Sequence, residues 1–189
     1  YTTEFFRGCR ERLNRHGLMV QWLHLYEIDD ETFRLVIRTF RSVFPHVTVW
    51  QSLVSDMLLV GSMEPLTLDE EAMGKKLGIP AVRADLERIQ IPDVATLLSL
   101  QVLSSPRTAE YAGGGPLNAE EKPLLEYWAP RAFYADRGAN DINRFDERRT
   151  FGGSSILLKE RIESKPLTDD ERLHIGLLHG DASRGNALI

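Results

Sequence analysis

The groups best suited to moving protons in this chain are two runs of adjacent acids, Asp29-Asp30-Glu31 and Glu120-Glu121. Neighbouring carboxylates can divide into one donor and one base when their surroundings push their pKa values apart. A helix start offers the plainer role, because its dipole stabilises negative charge there, and helix-start charge is the expectation for both runs. The five histidines, His16, His24, His46, His174 and His179, show no HxH or HxxxH pairing of the kind metal sites use. His174 and His179 make a poor helical pair. No metal site is expected. Cys9 is the sole cysteine, which excludes an internal disulfide and a cysteine-based metal site. Trp22, Trp50 and Trp128 could line an aromatic pocket. Trp22 and Trp50 lie in apolar strand-like runs, so buried packing is expected of them. Trp128, beside Pro130 and Arg131, is expected to pack over a sheet. Gly113-Gly-Gly-Pro116 follows no strand pattern, and its proline spoils a phosphate cradle.

Composition narrows the classes. The chain has 189 residues, 42% hydrophobic and 27% charged, with a net charge of −5. That suits one domain, or one and a fraction, with a real core. Acids and bases are interspersed and no basic stripe appears, so nucleic-acid binding is not expected. No apolar run reaches the roughly 18 residues of a membrane helix, and no signal peptide is visible. A reducing, cytoplasmic setting is the expectation, compatible with membrane attachment elsewhere in a parent protein. The chain opens at Tyr1 directly into a helix, which reads as a cut inside a larger protein.

The elements that must position these groups follow from periodicity. Residues 3 to 14 read as an amphipathic helix with Phe5, Phe6, Cys9 and Leu13 on its apolar stripe. Thr2 or Thr3 can cap it and Gly17 can stop it. Leu18 to Leu23 is a short, unalternating apolar run, as in a strand buried on both faces of a parallel sheet. Asp29 to Glu31 open a helix that carries Phe33, Val36, Phe40 and Val43 at helical spacing. Arg34, Arg38 and Arg41 fall opposite, as a solvated face. Pro45 ends this helix. Val47 to Trp50 and Met57 to Val60 then read as an antiparallel pair.

Beyond Pro65 the character changes. Thr67-Leu-Asp-Glu70 is a capping box opening a helix closed by Gly78-Ile-Pro80. A short helix fits 81 to 89. Asp93 caps another, from 94 to about 103, with Val94, Leu97, Leu98 and Val102 on one face. Leu124 to Tyr134, broken by Pro130, reads as extended or irregular. Residues 136 to 153 read as an exposed loop. Helices are expected over 155 to 163 and from 169 onward, the latter opened by a capping box at Thr168 and Glu171. No internal repeat is visible.

Four segments carry a family resemblance. They are Tyr1-Thr-Thr-Glu-Phe-Phe6, Gly17-Leu-Met-Val-Gln-Trp22, Phe40-Arg-Ser-Val-Phe-Pro45 and Asp56-Met-Leu-Leu-Val-Gly-Ser62. In that order and spacing they resemble the C-terminal part of the spermidine synthase-like family, the polyamine aminopropyltransferases, in its long bacterial fused form. Leu124-Leu-Glu-Tyr-Trp-Ala-Pro-Arg131 is similar to a segment that follows the synthase domain there. The resemblance covers about a third of the chain well and the middle more loosely. It implies an α/β fold over residues 1–64: the truncated C-terminal half of a methyltransferase-like Rossmann sheet. Three strands are expected, the last two an antiparallel hairpin, with Gly17 to Leu23 as the family's fifth strand. A mostly helical extension, 65–189, would follow.

For the intact parent the resemblance implies decarboxylated S-adenosylmethionine, or S-adenosylmethionine, as cofactor and an amine as acceptor, hence polyamine chemistry. A Rossmann ligand binds outside the carboxyl ends of the first strands, which in this family precede the segment matching Tyr1. So does the family's catalytic aspartate. No catalytic or cofactor-binding residue is therefore assigned in this chain, and no cofactor or activity is expected of it alone. The family's substrate-contacting glutamine, near the end of the fifth strand, points to Gln21. That residue comes one position early, and Trp22 takes the expected slot, so both are carried as substrate-binding candidates. A one-residue slip turns a side chain to the other face of a sheet. The tyrosine-bearing loop that covers the diamine in compact synthases has no counterpart between Trp50 and Asp56.

Two other readings come from different classes. Residues 66 to 189 suit a helical protein-interaction module leading into a repeat array. An S-adenosylmethionine-dependent methyltransferase-like parent would also suit the sheet. His179-Gly-Asp-Ala-Ser-Arg-Gly-Asn186 resembles the catalytic loop of aminoglycoside-type kinases, but no nucleotide-binding lysine lobe can be read upstream, and the capping box at Thr168 favours a helix there. A strand at Leu18 to Leu23 without a parallel neighbour would leave an open edge, which implies self-association, such as a dimer.

Overall fold

Side-chain caps set the start of the helices that matter most. In the computed structural model, which describes residues 1–53, 55–150 and 156–180, the described residues form an α/β structure of four strands and eleven helices. Helix α1 (Thr3–Glu11) begins where Thr2 accepts from the Phe5 N–H at 3.2 Å. Strand β1 (Met19–His24) follows, then α2 (Asp30–Arg41), whose first turn is capped by Asp29 accepting from Thr32 N–H at 2.9 Å. β2 (His46–Leu53) and β3 (Asp56–Ser62) form the expected antiparallel hairpin. Next come α3 (Glu70–Leu77), α4 (Pro80–Arg88), α5 (Val94–Leu98), β4 (Gln101–Leu103) and α6 (Ser105–Ala112). The described chain ends with α7 (Leu124–Tyr134), α8 (Ile142–Phe145), α9 (Glu147–Thr150), α10 (Ile156–Ser164) and α11 (Asp169–Gly180). No helix among the described residues is long and apolar enough to cross a membrane.

The sheet has the order β1-β3-β2-β4, four strands where three were expected. β3 is antiparallel to both β1 and β2. β1 and β2 therefore run parallel to each other, and α2 is the crossover that such strands require. This corrects the reading of β1 as a strand buried on both faces. Its buried neighbour is antiparallel, its other edge ends the sheet, and its side chains alternate. Leu23 is buried, while Val20 and Trp22 are half exposed, at 51% and 43%. Trp22 is thus not the core residue expected.

By contact the chain divides into two units, 1–66 with 103–146 and 67–102 with 147–189. In the first, α2 buries Phe33, Leu35, Val36, Ile37 and Phe40 completely. Each such side chain is worth about 1.5–3 kcal/mol of burial. Phe40 stacks edge-on against Phe6 of α1 at 4.9 Å and tilts against Phe44 at 4.8 Å. Both rings press on Gly61 of β3, where an added Cβ would lie 2.6 Å from Phe40 and 2.8 Å from Phe44. Phe5, expected on the buried stripe of α1, is 49% exposed, and Phe6 faces the core instead.

Other expectations change for physical reasons. Arg38 is buried at 6%, not solvated. Its guanidinium donates to Glu31 Oε1, Ala112 O at 3.0 Å and Pro116 O at 3.2 Å, so a carboxylate and the carbonyls at the end of α6 and the turn after it replace water. Leu124–Tyr134 is a helix that contains Pro130, although Ala132 is its one buried residue. α5 stops at Leu98, and 101–103 is strand rather than helix end. The 136–153 stretch is not wholly exposed, since Ala139 and Ile142 are each 1% exposed; residues 151–155 lie outside the described ones.

The second unit is organised on Arg161 of α10, which is fully buried. It donates to Glu171 Oε1 at 2.5 Å, to Glu70 Oε1 at 3.3 Å and to the carbonyls of Lys165 and Pro166. The Thr168–Glu171 capping box is present, with Thr168 N–H donating to Glu171 Oε2 at 2.8 Å and Glu171 N–H to Thr168 Oγ1 at 3.2 Å. At α3 the cap is Asp69, which accepts from Ala72 N–H, and not Thr67. Asp93 caps α5 as expected and also meets His174 Nδ1 at 2.8 Å.

The Gly61 contact gives a direct test. Gly61→Ala should destabilise the protein by roughly 1–3 kcal/mol, the usual cost of overpacking. The urea midpoint should fall with an unchanged slope. An unaltered midpoint would show that α2 does not press on β3 here.

Candidate functional site

The turn that ends β1 also starts α2, and it is short. Leu25 to Ile28 make the connection, with Glu27 in the left-handed region at φ 54°. Ile28 is 3% exposed and anchors it. Asp29 then sits at the N-cap, Glu31 and Thr32 follow in the first turn, and all three line a cleft of about 350 Å³. Trp128, Arg131 and Ala135 line it too. Trp128, Arg131 and Ala135 share one face by helical spacing, α7 carrying the first two and Ala135 following its end. Arg137 completes the lining.

Polar ties hold these parts together. Asn118, 3% exposed, accepts from Leu125 N–H through Oδ1 at 3.0 Å and donates through Nδ2 to Tyr1 O at 3.0 Å. Its backbone N–H donates to Thr39 Oγ1 at 2.9 Å, and its carbonyl accepts from Thr3 N–H at 2.9 Å. One residue thus links α1, α2 and the start of α7. Past α7 the chain folds back on the end of β1, where Ala139 N–H donates to Leu25 O at 2.8 Å and Gly138 bridges Tyr26. That return places Arg137 Nη1 3.9 Å from Asp29 Oδ2.

The charges in the cleft are unevenly satisfied. Glu31 is held by Arg38, and Asp29 by its cap bond and Arg137. Arg131 is exposed and has no partner among the described residues. Thr32 is fully buried, and its hydroxyl has no hydrogen-bond partner.

Next to the cleft, Asp30 Oδ1 accepts from Asp141 N–H at 2.7 Å, and Arg34 Nη2 donates to Asp141 Oδ2 at 3.1 Å. The Arg34 guanidinium lies 4.9 Å above the Tyr111 ring. Burial pushes the Tyr111 phenol well above its ordinary value; the charges of Asp30, Asp141 and Glu31 add to this and Arg34 opposes it. Its hydroxyl has no hydrogen-bond partner.

The residues singled out from sequence scatter. Asp29 and Glu31 line the cleft, and Asp29 caps a helix as expected. Glu120 and Glu121 do not start a helix. They occupy a tight turn between Ala119 and Lys122, where Glu120 N–H donates to Glu4 Oε2 at 3.1 Å. Gln21 is half-buried on β1, and its amide donates to Trp22 O at 3.0 Å. Neither Gln21 nor Trp22 lines the cleft. Trp22 and Trp50 flank Leu58 of β3, while Trp128 alone of the three tryptophans lines the cleft. His179 is buried, with Nε2 2.9 Å from Ser99 Oγ; the rest of the kinase-like run, 181–186, lies outside the described residues. Among the described residues no group of three or more His, Cys, Asp or Glu is placed to hold a metal ion. Arg131, Arg137 and Thr32 were not anticipated. The signal for Arg131 was its helical spacing from Trp128, hidden once Pro130 was taken to break the segment; no local pattern marked Arg137 or Thr32.

Comparison with protein-family models, with curated protein sequences and with solved structures returned no match.

Tyr111 gives a pH test. Because its folded pKa is raised, the unfolded chain releases the proton first. The unfolded state then binds fewer protons, so stability falls as pH rises above about 10. Tyr111→Phe should leave stability at pH 7 within about 1 kcal/mol or raise it, since no bond is lost, and should reduce the alkaline decline, to which the burial-raised Tyr1 phenol also contributes. Urea unfolding across that range checks both. A loss of several kcal/mol at neutral pH would mean that the hydroxyl has a partner.

Proposed function

We propose that this chain is the C-terminal portion of a spermidine synthase-like aminopropyltransferase and supplies the wall that holds the amine acceptor. The observation that carries the reading is the position of the cleft. It opens where β1 ends and α2 begins, and open α/β sheets bind ligands outside the carboxyl ends of their strands. The parallel relation of β1 to β2 through α2, with β3 inserted, suits the edge of a Rossmann-like sheet. The outer edge of β1 ends the sheet, which is where a further parallel strand would pair. The order of the four segments named above agrees with this arrangement.

In the reading, the carboxylates of Asp29 and Glu31 attract an ammonium group, and the Trp128 ring flanks its alkyl chain. The residues present do not fit the nucleotide. Among the described residues no glycine-rich turn joins a strand to a helix, since Gly113-Gly-Gly-Pro116 follows α6. No residue matches the family's catalytic aspartate. The part played here is therefore acceptor binding.

The test joins the chain to the first half of a spermidine synthase-like domain and supplies an amine with either donor. Aminopropyl transfer from decarboxylated S-adenosylmethionine is expected, with no turnover by the chain alone. Product formed only from S-adenosylmethionine would favour the methyltransferase-like parent. Calorimetry on the chain alone should show neither donor binding with a Kd tighter than about 1 mM. Tight binding of a donor would overturn the reading.

A further inference from the structure

We infer that the ligand of this cleft is an amine that also carries a carboxylate, an amino-acid-like zwitterion, and not a simple diamine. The inference rests on reading the cleft as the acceptor site and narrows the acceptor's chemistry.

The lining carries two acids and two guanidinium groups. Three of these four already have partners within the protein. Glu31 meets Arg38, and Asp29 and Arg137 meet each other at 3.9 Å. Arg131 is the lining cation left without one among the described residues. It is exposed on α7, one helical turn from Trp128. A guanidinium offers a planar fork that fits a carboxylate in two parallel bonds. A diamine entering here would set a second positive charge against Arg131. A carboxylate on the same molecule turns that repulsion into a charge-assisted pair.

The remaining groups suit the rest of such a ligand. Asp29 Oδ1 is used by the helix cap, but Oδ2 has only the long Arg137 contact and can take an ammonium hydrogen. The ring of Trp128 offers an apolar face to the carbon chain. Thr32 borders the cleft, but its side chain is wholly buried, so its unpartnered hydroxyl is out of reach of the ligand. The volume, about 350 Å³, lies within the range of small-molecule sites.

L-lysine and cadaverine test this cleanly, because they differ by one carboxylate. Hexanoate supplies the carboxylate without an amine. Each is titrated into the chain at neutral pH while the indole N–H resonance of Trp128 is followed by NMR. L-lysine should shift that resonance and bind at least about tenfold more tightly than cadaverine, the scale of one charge-assisted bond. Arg131→Gln should weaken L-lysine by about the same factor and, by removing the like charge, leave cadaverine bound no less tightly, or more tightly. Asp29→Asn keeps a capping oxygen but removes the charge, and should weaken both amines. Cadaverine binding as tightly as L-lysine would overturn the inference and leave the amine-acceptor reading standing. Hexanoate matching L-lysine, or no shift with any of the three, would overturn both.

Discussion

β3 pairs along its length with β1 on one side and β2 on the other, and much of the first unit follows from that. Two strands that share an antiparallel neighbour must run the same way. The chain cannot return between them through a tight turn and must cross over the sheet. α2 makes the crossing and can lie close only because β3 presents Gly61 beneath Phe40 and Phe44. The start of α2 is thereby fixed at the end of β1. A cleft there is a consequence of topology before it is a matter of side-chain chemistry.

α7 buries only Ala132, so apolar packing does little to fix its place. The polar ties do so. Asn118 uses its backbone and its amide to bind Tyr1, Thr3, Thr39 and Leu125. Arg38 ties the end of α6 and the turn after it to α2 through the carbonyls of Ala112 and Pro116. Buried groups of this kind are costly when unsatisfied, so each also selects one arrangement over its neighbours. The second unit uses the same device within itself, with Arg161 joining Glu70 on α3 to Glu171 on α11.

What could be read from sequence was local. The Asp29 cap, the apolar spacing of Phe33, Val36 and Phe40, the β2–β3 hairpin and the Thr168–Glu171 box all depend on residues a few positions apart. What escaped depends on distant partners. Arg34, Arg38 and Arg41 have the spacing of a wet face, and only the carbonyls of Ala112 and Pro116 make Arg38 a buried residue. β1 reads as a central strand because Leu18 to Leu23 is nearly all apolar, yet Val20 and Trp22 face outward. Pro130 counts against a helix locally, yet α7 runs through it. The cleft was half legible. Asp29 and Glu31 stood out as charges, while Trp128 and Arg131 join them only through the fold.

The placement of β3 is the point on which the site depends, and proton contacts across the sheet test it directly. Leu25 N–H donates to Ser55 O, so the alternation of an antiparallel ladder makes Val20–Val60 and Val49–Leu59 the close, non-hydrogen-bonded pairs. NMR should show Hα–Hα cross-peaks for both, from adjacent residues of the same strand. Cross-peaks joining β1 directly to β2, with none from Val60 to Val20, would contradict the crossover and remove the reason for a cleft at the start of α2.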